Sequence, residues 1–157
     1  MRITIVAVHV AACLVSAALA WGEPAQQILI TPDQLTWSAG PPTVPPGVQI
    51  AVLAGDPAKA GPFTIRARFP DGYRLPSHTH PIDERVTVLQ GTLLVGTGET
   101  WDESALTVLP GGSFRLTPAG VPHYLRAQGE TIIQVDGVGP NRITYSNPAD
   151  DPRSAAR

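Results

Sequence analysis

Hydrophobic and polar residues alternate through most of the chain after residue 47. In the segment 63–69 (FTIRARF), apolar residues occupy every odd position and Thr or Arg every even position. A period of two is typical of half-buried β-strands. Strands are predicted at 48–53, 63–69, 84–89, 92–95, 106–109, 113–116, 121–126, 131–135 and 143–145. Gly-containing turn signals separate most of them, for example Gln90-Gly91 and Gln128-Gly129. Short strands with such spacing predict an all-β sandwich or barrel.

The first twenty residues have a different pattern. Arg2 precedes an almost entirely apolar or small stretch, which ends in Ala18-Leu19-Ala20. This pattern predicts a secretory signal peptide over 1–20, cleaved before Trp21, and an exported protein, periplasmic or secreted. A membrane anchor is the alternative, but the stretch is at the lower limit for a span. A lipoprotein signal at Cys13 is a minor alternative.

Composition limits the remaining classes. The chain of 157 residues contains 17 Pro and 15 Gly, which disfavours long helices and coiled coils. Its net charge of −2 gives no electrostatic basis for nucleic-acid binding. We divide the chain into an N-terminal arm (21–47), a barrel domain (48–146) and a polar C-terminal tail (147–157), with no membrane span in the mature chain. The arm has a capping-box pattern at Thr31, which predicts a short helical turn.

The clearest chemical signal is a set of histidines with one glutamate. His78 and His80 are two residues apart on one predicted strand, so their side chains point to the same face. Glu84 follows after a short connection that could return its carboxylate to the pair, and a barrel could bring His123 across to complete the set. Three imidazoles and one carboxylate suit one divalent transition metal ion: Fe, Mn, Ni, Co, Cu or Zn. The alternative is that these are core histidines satisfied by hydrogen bonds.

These residues also carry a family resemblance. Gly72, His78, His80, Glu84 and Gly91 have the spacing GX5HXHX3EX6G, which resembles the first cupin motif. The segment 112–123 has the spacing GX5PXGX2H, which resembles the second motif, except that the motif's final Asn is replaced by Ala127.

The resemblance implies an all-β cupin double-stranded β-helix, a jelly-roll barrel in a single domain. It implies that His78, His80, Glu84 and His123 are metal ligands inside the barrel, and it makes a homodimer plausible. The chain is also similar to small exported single-domain cupins (monocupins) related to the cupin domain of an anti-sigma factor.

Strand alternation predicts which side chains surround this site. Val86 and Val88 share the face of Glu84, and the apolar Phe114 and Leu116 are expected to face the interior of the barrel. The expected interior is therefore mostly apolar, which favours a small apolar or aromatic ligand.

Two functions remain open. The first is a metal-dependent enzyme, dioxygenase-like, acting on a small molecule such as a phenol. In that enzyme Glu84 would be catalytic, serving as a general base when it partly leaves the ion. The second is a non-catalytic protein of the cell envelope that binds a metal or a small ligand.

Overall fold

The computed structural model describes residues 27–156. The predicted signal peptide, with Cys13, lies outside the described residues. Nine strands form the fold of the described residues, because alternating polar and apolar side chains suit a half-buried sheet. They are β1 (Ser38–Ala39), β2 (Gln49–Ala54), β3 (Gly61–Phe69), β4 (Arg74–Thr79), β5 (Glu84–Thr97), β6 (Thr107–Pro110), β7 (Phe114–Thr117), β8 (His123–Gly139) and β9 (Thr144–Tyr145).

All strand pairs are antiparallel, and β8 lies at the centre of the curled sheet. One path of neighbouring strands runs β1-β2-β3-β8-β4-β9. The strand β5 pairs with the other edge of β8 along most of its length, and it also pairs with β6 and β7. The predicted all-β fold in a single domain is confirmed.

The longest strands, β5 and β8, correct the predicted element lengths. Each was expected as two short strands, separated at Gly91 or at Gly129, but each runs through its glycine. Both glycines have a positive φ, 76° at Gly91 and 71° at Gly129. The pairing of β5 with β8 shifts register on both sides of Gln90. The glycines therefore distort the ladder locally without reversing the chain.

The core lies on the inner face of the curled sheet. Buried apolar side chains from β3, β5 and β8 pack together there, as the period of two predicts. They include Phe63, Phe69, Val88, Leu93 and Ile133.

Residues outside the barrel form short elements. A 3₁₀ turn at Pro32–Gln34 follows Thr31, whose backbone N–H donates to Gln34 Oε1 at 2.9 Å, as expected for a capping box. Two further 3₁₀ segments, Pro148–Asp150 and Pro152–Ala156, lie at the C-terminal end. Within residues 27–156, no helix is both long and apolar enough to cross a bilayer.

Candidate metal centre

The end of β4 brings two histidines together. His78 lies on β4, His80 directly follows its last residue, and their ring centroids lie 4.9 Å apart. Both are buried, with exposed fractions of 1% and 6%. Two adjacent imidazoles removed from solvent are unusual for a core, because each ring must satisfy two polar nitrogens.

The third histidine comes from the first residue of β8. His123 lies directly opposite His78 in the β4–β8 register. Its ring centroid is 4.3 Å from that of His78 and 5.4 Å from that of His80. The antiparallel pairing therefore completes the triad, because directly opposite residues project from the same face.

Glu84 is the first residue of β5, and its carboxylate lies beside the histidine cluster. Its Oε1 lies 3.4 Å from His80 Nε2, and its Oε2 lies 3.4 Å from His123 Nε2. The carboxylate side chain is 14% exposed. The structure thus brings together all four residues that the sequence singled out.

Main-chain carbonyls fix the orientation of all three rings. Nδ1 of His78 lies 2.8 Å from Pro76 O, that of His80 lies 2.9 Å from Arg142 O, and that of His123 lies 3.0 Å from Val121 O. A carbonyl only accepts, so each Nδ1 carries the proton and donates it. Each Nε2 is then left with a free lone pair, as is typical of metal-binding histidines.

The electrostatics of the cluster favour a neutral His78 and an ionised Glu84. Burial, together with the neighbouring rings of His123 and His80, lowers the pKa of His78 to about 3. Burial raises the pKa of Glu84, but its close contacts with His123 and His80 outweigh this effect and lower the pKa to about 2. Neutral imidazole and ionised carboxylate are the forms that bind a metal.

The residues present fit a divalent transition metal. One nitrogen from each of the three histidines lies within 4.8 Å of the other two. His123 Nε2 is buried and has no hydrogen-bond partner among the described residues. A bound ion would satisfy this buried nitrogen, and a three-imidazole donor set suits borderline ions.

The orientation of β7 contradicts one expectation about the side chains that surround the cluster. Phe114 and Leu116 were expected to face the interior, but they are 62% and 45% exposed. Arg115 and Thr117 occupy the inner face instead, opposite Val86 and Glu84 in the β5–β7 register. The interior near the cluster is therefore more polar than predicted. The alternation Phe-Arg-Leu-Thr allows either face to be buried, and in the structure the polar face is the inner one.

Comparisons with solved structures identify proteins of similar fold. A polyketide cyclase, RemF from Streptomyces resistomycificus, matches with a TM-score of 0.66 at 14% identity, covering 83% of this chain and 93% of RemF. An RmlC-like cupin from Shewanella frigidimarina has a TM-score of 0.57 at 15% identity, covering 72% of this chain and 91% of the other.

A third structure is longer. Salicylate 1,2-dioxygenase from Pseudaminobacter salicylatoxidans has a TM-score of 0.53 at 18% identity, covering 66% of this chain but 32% of the dioxygenase. At these identities the likeness concerns the fold alone. It confirms the predicted cupin jelly-roll barrel.

The comparison with curated proteins found no match. A family model does match the chain, over residues 49–150, and it is described as a domain of unknown function, DUF4437. The match includes the four clustered residues and almost the whole barrel. The chain therefore belongs to the DUF4437 family.

Proposed function

We propose that the chain is a metal-binding cupin in which His78, His80, Glu84 and His123 hold one divalent transition metal ion, Fe, Mn, Ni, Co, Cu or Zn. One observation carries this proposal. All three histidines donate Nδ1–H to a main-chain carbonyl, so three Nε2 lone pairs are free within one buried cluster. The carboxylate of Glu84 lies beside two of these nitrogens and supplies the fourth donor.

The chemistry we propose for this site is that of a dioxygenase-like enzyme acting on a small molecule such as a phenol. A bound ion would supply Lewis acidity, and a redox-active ion would also supply reactivity towards O2. The chain supplies a dry wall, because Val86 and Val88 next to Glu84 on the inner face are 5% and 1% exposed. The likeness to a polyketide cyclase and to a salicylate dioxygenase supports an enzyme, although those activities belong to those proteins.

Glu84 is better suited to be a ligand than a base. Its two oxygens lie 3.4 Å from Nε2 of His80 and from Nε2 of His123, which places the carboxylate beside two other donors. The general-base role predicted from the sequence would require the carboxylate to leave the ion and take up a proton. We therefore assign Glu84 the role of ligand in the resting protein.

A non-catalytic binding protein is the second candidate, and one observation favours it. Tyr145 has its ring 6.2 Å from that of His78, but its hydroxyl donates to Thr43 O at 2.8 Å. This hydroxyl is therefore engaged and poorly placed to deliver a proton to a bound molecule. Such a protein would hold the ion, or a small ligand on it, without turnover.

Metal analysis combined with oxygen uptake distinguishes the two candidates. The protein is purified from its native compartment, because overproduction elsewhere favours Cu and Zn through affinity alone. About one Fe or Mn per chain, with O2 consumption on adding phenols, supports the enzyme. One Zn per chain with no turnover supports the binding protein, and less than stoichiometric metal contradicts both.

We also propose that the protein is exported through residues 1–20. The sequence pattern of this segment is the support. Amino-terminal sequencing of protein from the cell envelope or medium is expected to start at Trp21. A start at a lipid-modified Cys13 would indicate a lipoprotein instead, and an intact Met1 would contradict export with cleavage.

A further inference from the structure

A cleft lies beside the histidine cluster, where β5 faces β6 and β7. Its volume is about 360 Å³, enough for a small organic molecule. Val95 and Leu109 give it an apolar wall, and Thr97 and Arg115 give it a polar end. The mechanism proposed above uses none of these four residues.

The polar end of the cleft adjoins the candidate metal centre. Thr97 lies directly opposite His123 in the β5–β8 register. Arg115 lies opposite Val86, and the next inward pair along the same two strands is Thr117 with Glu84. Since directly opposite residues project from the same face, Arg115 and Thr97 border the site from two strands.

Arg115 carries a positive charge that the carboxylate of Glu84 offsets only from a distance. Its side chain is half-buried, and its Nη2 donates one long hydrogen bond of 3.4 Å to Thr97 Oγ1. Within residues 27–156, no carboxylate forms an ion pair with this guanidinium. A guanidinium has five N–H donors in a planar fork that matches a carboxylate. Most of these donors are free to bind a ligand.

The charge of the candidate metal centre adds to that of Arg115. Three neutral imidazoles, one carboxylate and a divalent cation leave one net positive charge. Together with the guanidinium, this makes the polar end of the cleft cationic. A cationic ligand would be repelled there, whereas an anion would be attracted by both charges.

We propose that Arg115, assisted by Thr97, binds the carboxylate of a small organic acid whose apolar body lies against Val95 and Leu109. This inference rests on the proposed function, since it names the substrate class of the same site. A phenol that also bears a carboxylate fits both the cleft and the cluster. A phosphorylated ligand fits less well, because an apolar wall faces the rest of the molecule.

The test measures binding of benzoate, benzamide and inorganic phosphate to the zinc-loaded full chain by calorimetry. Benzamide has nearly the shape of benzoate without its charge. We expect benzoate to bind at least about tenfold more tightly than benzamide, because the contact is a charge-assisted bidentate pair. Arg115→Ala is expected to abolish this preference, and Arg115→Lys to retain part of it. Phosphate is expected to bind more weakly than benzoate.

Arg85→Ala is the matched control. Arg85 is exposed and lies opposite the outward-facing Leu116, so the variant removes the same charge from the other face of the sheet. Its affinity for benzoate should equal that of the unchanged protein. Melting temperatures of all three variants show whether each is folded.

Several results would overturn the inference. These are no benzoate binding at millimolar concentration, equal affinity for benzoate and benzamide, phosphate binding as tight as that of benzoate, or equal effects of Arg115→Ala and Arg85→Ala. Zinc content is measured on the same samples. One zinc ion per chain in such a case leaves the proposed metal site intact, whereas substoichiometric zinc contradicts the metal site itself.

Discussion

Two inward polar atoms near Glu84 have no partner among the described residues. They are Nε2 of His123 and Oγ1 of Thr117, and both are buried. A buried polar group without a hydrogen bond costs about 1–3 kcal/mol. These atoms therefore lower the stability of the metal-free chain and mark where a ligand would restore it.

Replacing His80 tests the metal site at this scale. His80→Ala removes one of the donors, so we expect metal affinity to fall by more than about a hundredfold, beyond the typical effect of losing a supporting hydrogen bond. Thr79→Ala is the control, because Thr79 is adjacent on β4 and points to the other face. Metal per chain after dialysis is the measurement. Stoichiometric metal in the His80 variant would contradict the assignment.

Thr117 allows a stability test at the same site. Thr117→Val replaces the unpaired hydroxyl with a methyl group of similar size, so the free energy of unfolding of the metal-free protein should stay equal or rise by about 1 kcal/mol. Thr117→Ser retains the hydroxyl but removes the methyl group, and should cost about 0.5–1.5 kcal/mol. Denaturant titration measures both. A clearly destabilised Val variant would mean that the hydroxyl has a partner.

The four clustered residues could be predicted from the sequence, but Arg115 could not. His78, His80 and Glu84 are close in sequence, and the motif around His123 has a distinctive spacing. Whether Arg115 faces the site depends on which face of β7, a four-residue strand, is buried. Hydrophobicity favoured burial of Phe114, whereas in the structure Arg115 faces inward beside the polar cluster.

At the scale of elements, β5 and β8 show how a glycine can be misinterpreted. Gly91 was expected to lie in a turn between two strands, and its positive φ agrees with a turn residue. A Cβ on Gly91 would overlap Glu130 O, so the glycine also allows two backbones to approach closely. Sequence alone does not distinguish a reversal of the chain from a bulge within a ladder.

Gly96 on β5 provides a prediction at the element scale. A Cβ at this position would overlap the ring of Tyr124, which lies opposite it on β8 and is fully buried. Gly96→Ala should therefore lower the free energy of unfolding by about 1–3 kcal/mol. Gly111→Ala is the control, since its Cβ would meet Leu89 O at an ordinary 3.7 Å. Equal stability of the two variants would contradict the packing argument.

At the scale of the whole molecule, hydrogen bonds from two tyrosines connect the N-terminal arm to the barrel. Tyr73 on the loop before β4 donates its hydroxyl to Pro45 O, and Tyr145 on β9 donates to Thr43 O, both at 2.8 Å. Val44 between these acceptors packs against the core. The arm is therefore part of the folded unit over these residues, although its sequence is rich in proline.

These tyrosines predict a loss of stability at alkaline pH. Burial raises the pKa of Tyr145 to about 12, and burial with the nearby Tyr145 raises the pKa of Tyr73 as well. Above the unfolded value of 10.0, the unfolded chain loses protons that the folded chain keeps, so stability falls as pH rises through this range. Melting curves and tyrosinate absorbance measure this effect. Tyr145→Phe should weaken it, and an unchanged melting temperature above pH 10 would contradict it.

The carbonyls that orient the histidine rings belong to the main chain, and two of them are only two residues away from their histidines. Any amino acid at positions 76 and 121 offers the same acceptor, so these positions can diverge without turning the rings. His80 differs, because its acceptor at residue 142 is brought to it by the segment that follows β8. Insertions or deletions in that segment would disturb one ring and leave the other two correctly oriented.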